Sequence, residues 1–159
     1  MTAWRAPIAI LSAWTLAIWL GGFTVYSAVV IPVLHRQLGS PLEVGLVTQE
    51  VTDVLNGIGA IALGVAWLDF LVESRSIGLR GTHDTRTSLA SRLGLASLVL
   101  ATATLCALVA LHERLDWGLE SGDLTNFYEW HRAYLWTSIV QWLAGLAIVA
   151  RTAIRGDGE

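Results

Sequence analysis

The amino-acid sequence predicts an all-α integral membrane protein that folds as an antiparallel four-helix bundle. Only 14% of its 159 residues are charged and 54% are hydrophobic, whereas a soluble domain carries about 25% charged residues. The mean hydropathy is +0.58. Four apolar segments approach or exceed the roughly 20 residues that a membrane-spanning helix needs. Because most of the connectors are short, we expect residues 1–159 to form a single four-span domain.

The four predicted spans cover approximately residues 7–34, 50–72, 89–112 and 128–151. The first begins like a signal peptide, with Arg5 ahead of an apolar stretch. It is too long for a signal peptide and lacks a small-residue cleavage site, so we expect an uncleaved helix. Pro32 lies near the far end of this helix, where a kink is tolerated. The longest connector is expected between the second and third spans, around residues 73–88.

The positions of the arginines predict the orientation. If successive helices cross the membrane in opposite directions, both termini lie on the same side. That side carries seven arginines, namely Arg5, Arg75, Arg80, Arg86, Arg92, Arg151 and Arg155. The other side carries three, namely Arg36, Arg114 and Arg132. The positive-inside bias therefore predicts that both termini lie in the cytoplasm. Three tryptophans cluster at the opposite, outer end, as in an interfacial aromatic belt, namely Trp117, Trp130 and Trp136.

Several functional classes find no support in the sequence. The net charge of −3 and the absence of a basic patch argue against nucleic-acid binding. The single cysteine, Cys106, excludes a disulfide or a thiolate cluster within one chain. The sequence contains no HExxH, phosphate-binding glycine loop, GxSxG or CxxCH motif. We therefore expect no enzymatic activity.

Small residues recur on each helix at intervals of three, four or seven, a spacing that places them on one face. Such residues let membrane helices approach closely. The stripes predict that helices pack at five glycines, namely Gly21, Gly57, Gly64, Gly94 and Gly145.

Each stripe, extended towards the predicted outer side, reaches a polar residue. These residues are His35, Asp53, His112 and His131, and Glu50 and Asn56 lie on the same side of the second helix as Asp53. Ser138 lies two turns after His131 and supplies a further polar group. Three imidazoles with one or two carboxylates suit zinc or copper(II). The same residues also suit a proton-handling cluster, or a haem held by two histidines.

A structural interpretation remains open beside these hypotheses. Polar side chains at helix ends cost little at headgroup depth, and histidine at a helix C-terminus or acids at an N-terminus favour the helix dipole. In that case the protein is a structural or accessory subunit of a membrane complex. Its expected partners are the lipid bilayer and either further copies of itself or another membrane protein. The sequence names no substrate.

Three stretches carry a resemblance to a known family: GGFTVYSAVVIPVLHRQLGS, GLVTQEVTDVLN and FYEWHRAYLWTSIVQW. The chain resembles the small bacterial four-helix membrane proteins related to transmembrane protein 205, a domain family of unassigned biochemical function. The resemblance implies that His131 is the family's histidine, while Ser138 replaces an asparagine frequent there. The chain is also faintly similar to the membrane domain of copper-resistance proteins. Since it has one methionine and one cysteine, that likeness implies copper(II) or zinc rather than copper(I).

Overall fold

The protein is an antiparallel bundle of four long helices. The structure is a computed structural model that describes residues 4–80, 85–123 and 125–156, with side chains at 4–40, 43–75, 91–123 and 125–151. The helices are α1 (Arg5–Val25), a π-helical turn (Tyr26–Val30), α2 (Ile31–Leu38), α3 (Pro41–Arg80), α4 (Thr85–Ser121) and α5 (Phe127–Gly156). No β-strand occurs among the residues described. The predicted fold class is confirmed.

The helices are longer than the predicted spans. The connector expected around residues 73–88 is mostly helical, because α3 continues to Arg80 and α4 begins at Thr85, and residues 81–84 lie outside the described residues. Four stretches are long and apolar enough to cross a membrane, namely Arg5–Leu38, Glu43–Arg75, Ser91–Ser121 and Phe127–Arg151. Their mean hydropathies range from 1.5 to 2.2. They therefore agree with a four-span membrane protein.

The four long helices form a closed ring. Helix α1 packs on α3, α3 on α4, α4 on α5, and α5 returns to α1, while the backbones of the diagonal pairs do not approach one another within the described parts of the helices. Side-chain hydrogen bonds join Gln49 to Asp116 and Trp67 to Thr102. Since the residue number rises on α3 as it falls on α4, these neighbours are antiparallel.

The regular α-helix of the first span is interrupted a few residues before Pro32. Pro32 has no N–H to donate to the carbonyl of Ala28, so the regular α-helical pattern cannot continue through this point. The chain widens instead into the π-helical turn, in which the N–H of Ile31 donates to the carbonyl of Tyr26. The turn lies just before Pro32, in the part of the helix where the sequence analysis allows a kink.

Apolar side chains fill the middle of the bundle. Leu16 and Leu98 are fully buried, with 0% and 1% of their surfaces exposed, and they belong to a core with Ala62 and Ala101. Along α4, Leu98 lies between the inner end of the helix and His112 near its outer end. We call Leu16 and Leu98 the leucine layer.

Trp19 fits between two glycines on neighbouring helices. A Cβ atom added to Gly59 on α3 would lie 2.7 Å from the Trp19 Nε1 atom. A Cβ added to Gly145 on α5 would lie 3.3 Å from the other edge of the indole and 2.7 Å from Leu20 Cδ2. Only glycine leaves room for the indole at both points, and Gly145 lies at a close helix contact as predicted.

Three of the predicted packing glycines do not pack inside the bundle. A Cβ added to Gly21, Gly57 or Gly64 would meet nothing within 4 Å. The prediction that these residues separate helices of the bundle was therefore wrong. On α3 the close approach is made by Gly59 against Trp19. The regular stripe of small residues follows a different side of the helix.

An ion pair closes the predicted inner end of the bundle. The Arg151 guanidinium contacts the Glu73 carboxylate across the diagonal between α5 and α3, and both side chains are 13% exposed. The guanidinium carbon also lies 4.9 Å from the centre of the Phe70 ring. Gly94 makes room for this arginine, since a Cβ there would be 2.5 Å from the guanidinium. The predicted contact at Gly94 is therefore present.

Candidate functional site: the outer polar cluster

A cluster of polar side chains joins α3 to α4 at the predicted outer end of the bundle. The Nε2 atom of His112 lies 3.0 Å from Asp53 Oδ1 and 3.3 Å from Asp116 Oδ2. The second oxygen of Asp116 accepts a hydrogen bond of 2.8 Å from the Gln49 side-chain amide. We call Gln49, Asp53, His112 and Asp116 the outer cluster.

Helical spacing explains why these four side chains meet. His112 and Asp116 are one turn apart on α4, and Gln49 and Asp53 are one turn apart on α3, so each pair shares a helix face. Antiparallel packing then brings Asp53 to the level of His112 and Gln49 to the level of Asp116. Both levels lie at or just beyond the outer end of the apolar run from Leu93 to Leu111.

The cluster is buried at its centre and open at one side. His112 is 8% exposed, whereas the side chain of Asp53 is 69% exposed and that of Asp116 is 26% exposed. Water at the membrane surface therefore reaches Asp53 more readily than the imidazole. The Nε2 atom of His112 is buried and has no aligned hydrogen-bond partner among the described residues. Its contacts with the carboxylates are thus charge contacts.

This geometry gives the His112 imidazole two charge states with different consequences. When the ring is protonated, its positive charge balances one of the two carboxylates. When the ring is neutral, both negative charges of Asp53 and Asp116 remain close together, which is unfavourable. Because histidine changes charge near neutral pH, the cluster has the parts of a proton-binding site.

Asn56 and Ser138 lie deeper, beside a tyrosine that the sequence analysis did not single out. The Tyr134 ring centre is 6.3 Å from that of His112, and its phenol group interacts with the Ser138 and Asn56 side chains. The Ser138 hydroxyl also donates to the Tyr134 carbonyl at 2.9 Å. Tyr134 therefore separates these two residues from the outer cluster and links α5 to α3.

Two predicted histidines lie on the outside of the bundle. His35 is exposed, and its Nδ1 atom donates to the Ile31 carbonyl of its own helix at 3.0 Å. His131 is also exposed and stacks on Phe127, with ring centres 6.1 Å apart and an interplanar angle of 9°. Both side chains are thus held by residues one turn away on the same helix.

Glu50 also lies apart from the cluster. It is exposed on α3, and three residues of helix place it about 60° around the axis from Asp53. The predicted convergence of all five residues was therefore wrong. Asp53 and His112 do meet. His35 and His131 are exposed but lie close enough to each other to interact electrostatically, and Glu50 is exposed on α3.

The outer cluster does not have the form of a metal centre. Among the residues described, no group of three or more His, Cys, Asp or Glu side chains is arranged to hold a metal ion. Both carboxylates of the cluster approach the same ring nitrogen, at 3.0 and 3.3 Å. A haem with two histidine ligands also finds no support, since His112 is the buried histidine of those described.

Sequence reasoning missed Gln49, Asp116, Tyr26, Thr52 and Tyr134. The first two could have been found from their spacing, since each lies four residues from a predicted residue on the same helix. Tyr26, in the π-helical turn, lies with its hydroxyl 3.2 Å from Thr52 Oγ1. No pattern in the sequence pointed to this pair or to Tyr134, because the three residues lie on different helices.

Comparison with known proteins identifies one family that the chain matches. A family model described as "Domain of unknown function (DUF4149)" matches residues 14–116. The match runs from α1 to Asp116 and thus includes the whole outer cluster, while α5 and His131 lie beyond it. No curated protein and no solved structure matches the chain. Since the match covers well over half of its residues, the chain belongs to the DUF4149 family, which is defined by a domain of unknown function.

Proposed function

We propose that this protein takes up protons at the outer cluster, from the outer side of a bacterial inner membrane, with both termini in the cytoplasm. The observation that carries the proposal is the buried His112, whose Nε2 atom lies 3.0 and 3.3 Å from two carboxylates. The excess of arginines on the side of the termini supports the orientation. We further propose that the protein is not an enzyme and that it is related to the transmembrane protein 205 group.

The exposures of the cluster support an order of events. Asp53, at 69% exposure, is the side chain of the cluster that outer water reaches first, and its carboxylate is 3.0 Å from the Nε2 atom of His112. Asp116 is fixed by the Gln49 amide and keeps a negative charge beside the ring. Protonation of His112 then changes the attraction between α3 and α4, because Asp53 and His112 lie on different helices. A change in outer pH is thereby converted into a change in the contact between two helices.

The experiment is a histidine NMR titration of the full chain in lipid nanodiscs, with imidazole signals labelled and His112 assigned by His112→Gln. The His112 signal should move reversibly as pH is changed. In Asp53→Asn, proton exchange at His112 should become slower, while the signal of the exposed His35 should be the same as in wild type. A His112 signal that does not respond to pH would contradict the proposal. A zinc-dependent shift at His112 would instead indicate a metal site.

A second candidate function is that of a subunit in a larger membrane assembly. Gly57, Ala60 and Gly64 are exposed on one side of α3, with open space at both glycines. Small residues on an outward face permit close packing against another helix. Chemical cross-linking in native membranes tests this candidate, with Gly64→Leu expected to reduce the cross-linked species and Ile61→Leu expected to leave it unchanged. Equal cross-linking in both variants would contradict it.

A further inference from the structure

A second site lies at the same end of the bundle, in a cleft between α4 and α5. The cleft is small and open to solvent, and it is lined by Arg114, Trp117, Gly118, Asp123, Thr125 and Trp130. Arg114 comes three residues after the apolar run that ends at Leu111. The cleft is thus at the depth of the lipid headgroups, where tryptophan is enriched.

Arg114 presents a positive charge in the cleft. Its guanidinium carbon lies 5.0 Å from the centre of the Trp117 ring and 6.0 Å from that of Trp130. No carboxylate forms a salt bridge with Arg114 among the described side chains. The indoles contact the guanidinium through their ring faces, and its N–H groups remain free to donate. A guanidinium presented in this way matches the paired oxygens of a phosphate group.

Asp123 supplies a negative charge in the same cleft. Its carboxylate accepts a hydrogen bond of 3.0 Å from the Thr125 N–H. The hydrogen bonds from Thr125 hold the pKa of Asp123 below its usual value, so the group is ionised at neutral pH. The cleft therefore contains one positive and one negative group.

The backbone holds this arrangement in place before any ligand arrives. Gly122 ends α4 with a φ of 73°, and Asn126 has a φ of 61°, so both take the left-handed conformation that the tight turn requires. The carbonyl of Asn126 accepts hydrogen bonds from the N–H groups of Glu129 and Trp130. A Cβ at Gly118 would lie 3.2 Å from the Asp123 carbonyl, so glycine lets the loop pack against α4.

We propose that this cleft binds the headgroup of a membrane lipid in which a phosphodiester is joined to a primary ammonium group, as in phosphatidylethanolamine. Arg114 receives the phosphate, and Asp123 accepts hydrogen bonds from the ammonium. A primary ammonium fits better than a quaternary one, because it donates to a carboxylate and because Arg114 already occupies the indole faces. The site is independent of the outer cluster.

The test measures lipid binding to the detergent-purified full chain by native mass spectrometry. Wild-type protein should retain dioleoyl phosphatidylethanolamine in preference to dioleoyl phosphatidylglycerol. Arg114→Gln should weaken retention of both lipids by about tenfold, because it removes a charge-assisted contact to phosphate. Asp123→Asn should reverse the preference towards phosphatidylglycerol, since it removes the partner of the ammonium. Arg132→Gln, at an exposed arginine of the same membrane face, is the matched control and should change nothing.

Several outcomes would overturn the proposal. If Arg132→Gln lost as much lipid retention as Arg114→Gln, the lipids would be attracted by general surface charge. An unchanged preference in Asp123→Asn would mean that Asp123 does not contact the ammonium. Water-soluble glycerophosphoethanolamine should compete only weakly, and equal competition would assign the site to a soluble ligand. Circular dichroism of each variant checks that a loss of binding does not come from a loss of helix.

Discussion

Gly59→Ala should destabilise the bundle, because its added methyl group meets the edge of a buried indole. The new Cβ would lie 2.7 Å from Trp19 Nε1 and 2.9 Å from Cε2, closer than real Cβ atoms approach their neighbours. Trp19 is 4% exposed, and its opposite edge faces Gly145. The ring therefore has no free direction in which to retreat.

The magnitude follows from two opposing effects. Forcing an extra methyl group into a packed core costs about 1–3 kcal/mol. Replacing glycine by alanine inside a helix contributes about 1 kcal/mol of stabilisation. In Gly21→Ala only the stabilisation from replacing glycine by alanine applies, because the added Cβ meets nothing within 4 Å. The difference in unfolding free energy between the Gly59 and Gly21 variants should therefore be about 1–3 kcal/mol.

The assay is reversible unfolding in mixed micelles, followed by loss of helical circular dichroism as sodium dodecyl sulfate is added. The midpoint of the Gly59 variant should fall below that of wild type, and the midpoint of the Gly21 variant should not. Equal midpoints for the two variants would refute the assignment of Gly59, rather than Gly21, to the interface between α1 and α3.

The remaining predictions concern the ion pair, the outer loop and the orientation. Glu73→Gln should lower the unfolding free energy by up to about 3 kcal/mol, because it removes the carboxylate that contacts the Arg151 guanidinium, with Asp69 remaining as a second negative charge nearby; the same unfolding titration measures this. The Asp123 pKa is lowered from 3.8 by hydrogen bonds from Thr125, so its contribution to stability is present above that pH and is lost as pH falls through the lowered pKa. Wild type and Asp123→Ala should therefore differ in unfolding midpoint at pH 6 and converge in strong acid. A reporter fused after Gly122 should be exported, and a cytoplasmic reporter signal there would reverse the orientation.

The fold could be predicted from sequence because it depends on quantities that are local in the chain. The length and hydropathy of each segment define a membrane-spanning helix, and short connectors make neighbours antiparallel. The position of Pro32 showed where a kink is tolerated. The widening into a π-helical turn at Tyr26–Val30 was not predictable, because it depends on how the chain restores its hydrogen bonds around the proline.

The candidate site was predictable only in part, because it depends on how each helix is rotated about its axis. Asp53 and His112 were found by extending small-residue stripes to the helix ends. The same stripes suggested His131, which instead stacks on Phe127 outside the bundle. In a soluble helix the polar face reveals the rotation, but in a membrane both the lipid-facing and the inward sides are apolar. Small residues such as Gly64 then fit either side equally well.

The leucine layer has a consequence for the electrical properties of the molecule. The ion pair of Glu73 and Arg151 lies at one end of the bundle, and the outer cluster lies at the other. Between them, Leu16 and Leu98 exclude water from the axis. An ion entering this layer would lose its hydration shell, which costs many kcal/mol in an apolar medium. The apolar layer therefore separates the charged groups at the two ends of the bundle by a region of low dielectric constant.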